Sequence, residues 1–202
     1  MTRDVAPFAS HTDTVCATRV SSGDERVAGA CAPVGEDAPF FSIVMPCYGV
    51  EAYIGQALEC ILKQTERSWE LIVVDDATPD ASASIAERAA AGDARIRVVR
   101  HERNLGLSGA RNTGISQARG EYVWICDPDD TYEPDVLSRS RRALERNHAD
   151  VCLFGYCEEY YDEAGAFMYR NDLPLETGEY LSPQDWHSLV IAWESSTHFG
   201  YA

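Results

Sequence analysis

From Phe40 onward the chain alternates short unbroken apolar runs with segments whose apolar residues recur every three or four positions. The unbroken runs are "FFSIVMP", "WELIVVDD", "RIRVVRH" and "EYVWICD". Their length and their β-branched and aromatic content mark strands buried on both faces. In "EAYIGQALECILKQ", Ile54, Leu58, Ile61 and Leu62 share one helical face. "ASASIAERAAA" reads as a second helix with Asp80 as N-cap and Gly92 at its end. "LSGARNTGISQA" reads as a short third helix that Gly120 stops, and Pro46 closes the first strand. Strand and helix alternating at such short spacing predict an α/β fold, a three-layer α/β/α sandwich around a mostly parallel central sheet.

The flanks read differently. Residues 1–38 are rich in Ala, Ser, Thr, Asp and Gly without periodicity, which predicts a disordered leader ahead of a unit at 39–148. That unit closes with a helix from Pro134 to Arg146, Pro standing at a tolerated first-turn position. Residues 149–202 follow as a distinct region. "ADVCLFGYCEEYY" reads as a strand, "DEAGAFMYR" as a turn and the second strand of a hairpin, and "SPQDWHSLVIAW" as a helix opened by Ser-x-x-Asp.

Composition narrows the possible functions. With 202 residues, 45% of them hydrophobic, the chain can bury a core of ordinary size. A net charge of −16 leaves no basic face for nucleic acid and no polybasic membrane patch. Lys63 is the only lysine, so a phosphate-cradling Gly-Lys-Ser/Thr loop is absent. The seven cysteines (16, 31, 47, 60, 126, 152 and 157) contain no Cys-x-x-Cys pair, the usage of a reduced, cytoplasmic protein. No run approaches the roughly 20 apolar residues of a membrane span, and the N-terminus lacks the apolar core of a signal peptide. The histidines (11, 101, 148, 187 and 198) show no ligand spacing. Arg139, Arg141, Arg142 and Arg146 form a basic helix face, solvated and paired with nearby acids.

The chemistry is concentrated where strands end in acid. Asp75 and Asp76 end the second strand; Asp127, Asp129 and Asp130 end the fourth. In open α/β sheets ligands bind at the carboxyl ends of the strands, so both clusters are expected on one rim. Residues i and i+2 of an extended chain point the same way, so Asp127 and Asp129 can converge on a hard divalent cation. Taken alone, Asp127, Asp129 and Asp130 read more readily as a solvated acidic turn, while Asp75 and Asp76 read equally as a helix cap and turn or as acceptors for a nucleobase or ribose. "HERNLGLSGARNTGI" carries Asn104, Gly106, Gly109, Arg111, Asn112 and Gly114, glycines that permit close backbone approach to a ligand. Its spacing is not Gly-x-Gly-x-x-Gly, so a dinucleotide fold is not indicated.

Taken together, "SIVMPCYGVEAYIGQALECILKQT", "WELIVVDDATPD" and "NLGLSGARNTGISQARGEYVWICDPDD" resemble the family 2 glycosyltransferases with the GT-A fold, over roughly residues 41–144. The resemblance implies inverting transfer of a sugar from a nucleotide-diphospho-sugar, a UDP-sugar in first place, to a saccharide or lipid-linked acceptor in cell-surface glycan synthesis. It implies Mn2+ or Mg2+ bridging the diphosphate and the Asp-x-Asp, in a cytoplasmic enzyme or one peripheral at the inner face of the membrane. Carried over by position, Pro46 and Tyr48 line the nucleotide pocket, Asp75 or Asp76 contacts the base, Arg111 serves the same pocket, Asp127 serves the ribose, and Asp127 with Asp129 serves the metal.

The family pattern is not complete. Gly49 stands where the family usually has Asn, and Ala77-Thr78 stands for its usual Gly-Ser. The family's catalytic base lies far downstream in the acceptor-binding half, and here it is expected beyond Ala202. None of Glu158, Glu159, Asp162 or Glu194 is assigned to that role. The alternative is a truncated or degenerate sugar-nucleotide-binding domain without turnover. A phosphatase reading of "ICDPDDT", with Asp127 as a phosphorylated nucleophile, needs a lysine after residue 63, and there is none.

Overall fold

The computed structural model describes residues 16–19, 38–153, 156–162 and 166–173. Its centre is the pair of strands β2 (Phe41–Cys47) and β3 (Trp69–Asp75), buried at every position and paired in parallel from Phe41↔Trp69 to Cys47↔Asp75. β4 (Ile96–Arg100) joins β3 in parallel and β5 (Tyr122–Ile125) joins β2 in parallel. The continuous apolar runs are explained by what covers the two faces. On one face Phe41, Ile43 and Met45 pack with Ile54, Ala57, Leu58 and Ile61 of α1 (Ile54–Leu62). Ala86 of α2 (Ser82–Gly92) and Leu137 and Leu144 of α4 (Val136–Asn147) complete that layer. On the other face Val44, Ile72, Val74 and Val123 pack with Ala110 of α3 (Gly106–Ser116). Each fully buried Leu, Ile, Val or Phe contributes about 1.5–3 kcal/mol. The α/β/α sandwich is therefore as expected.

Glycine decides how closely α3 approaches. A Cβ at Gly114 would overlap the Val44 side chain, so only glycine lets the helix lie flush on β2.

Pro46 does not end its strand: β2 runs through it to Cys47. The Cys126 N–H donates to the Val44 carbonyl, so residues 44 and 46 both turn their backbone groups toward β5. Pairing with β5 stops at Val44↔Ile125, and the missing N–H of Pro46 faces a side with no ladder to break.

Two segments differ from the sequence reading. The segment read as a disordered leader contributes β1 (Cys16–Arg19), which runs antiparallel between β5 and β6 (Val151–Leu153). The six-stranded order is β4-β3-β2-β5-β1-β6. Four residues are too few to show a period, so this strand is defined by its two neighbours rather than by its own pattern. The single strand expected over 149–161 is two: β6 in the large sheet, and β7 (Tyr156–Tyr161), which pairs with β8 (Phe167–Leu173) as a separate hairpin. The helix expected at residues 182–193 lies outside the described residues.

At the end of the sheet away from the strands' carboxyl termini, Glu70 is buried at 2% exposure. It accepts hydrogen bonds from Ser42 Oγ at 2.7 Å, from Arg119 N–H at 2.8 Å and from the Arg119 and Arg97 guanidinium groups. Burial pushes the Glu70 carboxyl up, but the bonds from Arg119 and Ser42 outweigh it and leave its pKa lowered.

Candidate functional site

Strand register assembles the rim. Cys47 lies opposite Asp75 and Asp75 opposite Arg100, while Cys126 follows β5 directly. The carboxyl ends of β2, β3, β4 and β5 therefore open together, and both acidic clusters stand on the same edge.

The two acids at the end of β3, Asp75 within it and Asp76 just past it, have different surroundings. Asp76 is buried and accepts from the Leu105 N–H and Gly106 N–H at 2.8 Å each and from His101 Nδ1 at 2.7 Å. Burial raises its pKa, but these bonds outweigh it and leave the carboxyl below its ordinary range. Asp75 accepts from the Thr78 N–H through Oδ1, and its Oδ2 stands 3.6 Å from Arg100 Nε.

The second cluster splits three ways. Asp127 is half-buried and meets Arg111: Nη2 donates to Oδ1 at 2.9 Å and to Oδ2 at 3.1 Å. Asp129 is exposed and Asp130 is buried. The turn is closed by Asp130 N–H on the Asp127 carbonyl, and Tyr132 donates its hydroxyl to the same carbonyl at 3.0 Å. Tyr132 packs edge-on against Trp124 of β5, which braces the turn against the core. Burial, reinforced by the surrounding acids, pushes the Tyr132 phenol far up, so it remains a hydrogen-bond donor.

The loop after β2 carries Tyr48, 52% exposed, while Pro46 is buried inside the strand. This loop is latched to the one after β3. Gly49 N–H donates to Thr78 Oγ1, Val50 N–H to Ser82 Oγ and Glu51 N–H to Asp80 Oδ2, while Glu51 accepts from Ala81 N–H. Asp80 also accepts from the Ser82 N–H, so it caps α2 as the sequence predicts, one residue further out than the assigned cap Ala81. Burial raises the Asp80 pKa, but the bonds from Ser82, Thr78 and Glu51 overcome this and hold the carboxyl well below its usual range.

Both departures from the family pattern fall at left-handed backbone: Gly49 has φ +70° and Ala77 has φ 56°. Glycine and Asn both reach this region readily, so Gly49 keeps the backbone while losing a side chain. Ala77 holds the same backbone at a cost.

His101, Thr113, Thr78 and Tyr132 were not singled out by sequence. Their signal is contact across 12 to 29 residues of chain or a hydrogen bond to backbone, neither of which a local pattern records. The rim thiols are buried. Burial, then Asp75, pushes Cys47 up to about 12, and burial pushes Cys126 well above its ordinary value.

The oxygen donors of Asp127 and the exposed Asp129 suit a hard divalent cation. Among the described residues no three or more His, Cys, Asp or Glu side chains cluster to hold one. An ion here would take its other ligands from water and phosphate oxygens. A surface hollow along α4 is lined by Arg139, Arg142 and Arg146 and includes none of the rim acids.

Comparison with known proteins shows the family of the chain. The family model described as "Glycosyl transferase family 2" matches residues 42–192. The chain is 43% identical over 124 residues to the uncharacterized glycosyltransferase EpsJ of Bacillus subtilis, covering 61% of this chain and 36% of that protein. It is 38% identical over 117 residues to the succinoglycan biosynthesis protein ExoO of Rhizobium meliloti, covering 58% of this chain and 32% of that one. Among solved structures, S. aureus TarS residues 1–349 in complex with UDP-GlcNAc aligns with TM-score 0.52 and 31% identity, over 55% of this chain and 32% of that one. The mannosyltransferase PcManGT from Pyrobaculum calidifontis, in complex with GDP-Man and Mn2+, aligns with TM-score 0.50 and 28% identity, over 56% and 34%. The matched region spans about a third of the length of these relatives, 36% and 32%.

Proposed function

The chain belongs to glycosyl transferase family 2, and on that premise we propose that it moves a sugar from a nucleotide-diphospho-sugar, a UDP-sugar, to the hydroxyl of a saccharide or lipid-linked acceptor. In this reading the transfer inverts the anomeric carbon, depends on Mn2+ or Mg2+, and serves cell-surface glycan synthesis in the cytoplasm or at the inner face of the membrane. The observation that carries it is the pairing of Arg111 with Asp127 at the rim where β3 ends in Asp75, with Asp129 exposed beyond Asp127. Likeness to structures holding UDP-GlcNAc, and GDP-Man with Mn2+, supports the ligand classes.

In this reading Tyr48 offers an exposed ring to the base, at the end of the strand that contains Pro46. Asp75 rather than Asp76 accepts from the base, because Asp76 is committed to three donors of its own protein. Asp127 serves the ribose, and Asp127 with Asp129 holds the cation. When bound, that ion neutralises charge on the leaving diphosphate. Arg111 adds fixed positive charge that needs no reorganisation. The latch between residues 49–51 and 78–82 keeps the loop of Tyr48 from having to order on binding. Among the described residues no helix is long and apolar enough to cross a membrane.

The test is a calorimetric titration of UDP, then GDP, with and without Mn2+, on the wild type and Asp129→Ala. Metal-dependent binding that disappears in the variant is the expected result; no binding of either nucleotide with Mn2+ present overturns the reading. Product analysis with sugar nucleotides separates turnover from binding alone.

A further inference from the structure

His101 is half-buried and has no part in the scheme above, yet both of its ring nitrogens are engaged. Nδ1 lies 2.7 Å from Asp76 Oδ1 and Nε2 lies 2.9 Å from Thr113 Oγ1, while its backbone N–H donates to the Asp75 carbonyl. A carboxylate only accepts, so Nδ1 carries a proton whichever way Thr113 turns its hydroxyl. Asp76 at the same time accepts two of the N–H groups at the start of α3, those of Leu105 and Gly106. The residue at the helix cap, Leu105, makes no side-chain capping bond, and the first turn of α3 contains no acid. Asn104 Oδ1 also accepts the Gly106 N–H at 2.9 Å, so the end of β3 adds to this local bond a remote cap from about thirty residues away.

These contacts constrain α3 in two ways. Asp76 sets its position along its axis, and the His101–Thr113 bond sets its rotation. Gly114, flush against Val44, removes the remaining play. Arg111 is two residues before Thr113, roughly 200° away around the helix, and reaches Asp127 through Nη2 alone while its buried Nε makes no bond. A guanidinium held by one nitrogen depends on where its helix is held.

We infer that Asp76, His101 and Thr113 form a strut that positions Arg111 on Asp127, so that Asp76, just past β3, governs the geometry of Asp127, just past β5. All three act through Arg111, so they are positioning residues. For its ligand readout the inference rests on the proposed donor site, so the test includes one measurement that needs no ligand.

The variant is Thr113→Val, which removes the hydroxyl and keeps the shape. The first readout is the side-chain guanidinium resonance of Arg111 in a nitrogen–proton correlation spectrum of the full chain. It is identified by its loss in Arg111→Gln and its shift in Asp127→Asn. In Thr113→Val this resonance is expected to move or broaden, and His101→Asn is expected to do the same. An unchanged Arg111 signal in both variants overturns the inference. The second readout is UDP affinity with Mn2+. Thr113→Val should weaken it on the order of tenfold, the worth of about one well-placed hydrogen bond, and should weaken it no further in an Arg111→Gln background. Additive losses in the double variant overturn the inference, since they would mean that Thr113 acts apart from Arg111. If the wild type binds neither UDP nor GDP while the Arg111 signal still responds, the strut stands and the donor-site reading falls.

Discussion

The guanidinium of Arg111 and the carboxylate of Asp127 meet between α3 and the end of β5, Nη2 lying 2.9 Å from one oxygen and 3.1 Å from the other. One acid of a crowded turn is thereby neutralised by the protein itself. Asp129 remains exposed, and Asp130 is sealed beneath. The like-charge problem posed by three carboxylates in four positions is divided among a guanidinium, solvent and the interior.

Replacing Arg111 by Gln removes this neutralisation. Both partners are partly exposed, 32% and 20%, so solvent screens the pair and the stability loss should be only about 1 kcal/mol. Affinity for UDP with Mn2+ should fall on the order of tenfold or more, because the added charge is lost where the diphosphate would lie. Urea unfolding alongside calorimetry checks both. A large stability loss with unchanged affinity would place Arg111 in the scaffold rather than the site.

Ala77 holds φ 56° where an L side chain is strained. Ala77→Gly should raise unfolding stability by about 0.5–1 kcal/mol, relief of strain exceeding the added chain entropy of glycine. Denaturant midpoints at constant slope measure this. A loss of stability would mean that the Ala77 methyl contributes packing worth more than the strain.

Glu70, Asp76 and Asp80 all have pKa values below the ordinary carboxylate range in the folded chain. Their stabilisation is complete above the unfolded pKa, roughly pH 4, and is lost as pH falls through the lower folded values. Unfolding free energy should therefore decline below about pH 4. Glu70→Gln should cost about 1–3 kcal/mol at pH 7, since it leaves Arg97 and Arg119 without their buried partner, and should flatten the acid limb. Unfolding curves from pH 7 to 2 on both proteins check this. Superimposable acid limbs would show that Glu70 carries none of the dependence.

Much of this was legible in the chain because the signals are local. Unbroken apolar runs such as "WELIVVDD" can be satisfied only by a strand covered on both faces, and Ile54, Leu58 and Ile61 can share only a helical stripe. β1 was not legible: four residues have no period, and pairing with β5 and β6 is what makes them a strand. Pro46 was misread as a stop because sequence does not say which neighbour a backbone group faces.

The alternation of strands and helices from Phe41 to Arg146 follows from the sequence alone, since it depends on periods within some fifteen residues, and the family follows from a resemblance carried by motifs spread over residues 41–144. The tertiary structure alone decided what each acid does. Asp75 and Asp76 are adjacent and chemically identical in sequence. Both are buried, but one lies beside Arg100 and accepts from the Thr78 N–H, and the other caps a helix 30 residues ahead. Asp127, Asp129 and Asp130 likewise part into paired, exposed and buried groups. The reason is physical: the state of a carboxylate is set by the donors and solvent within a few ångströms of it, and here those donors arrive from other elements of the chain.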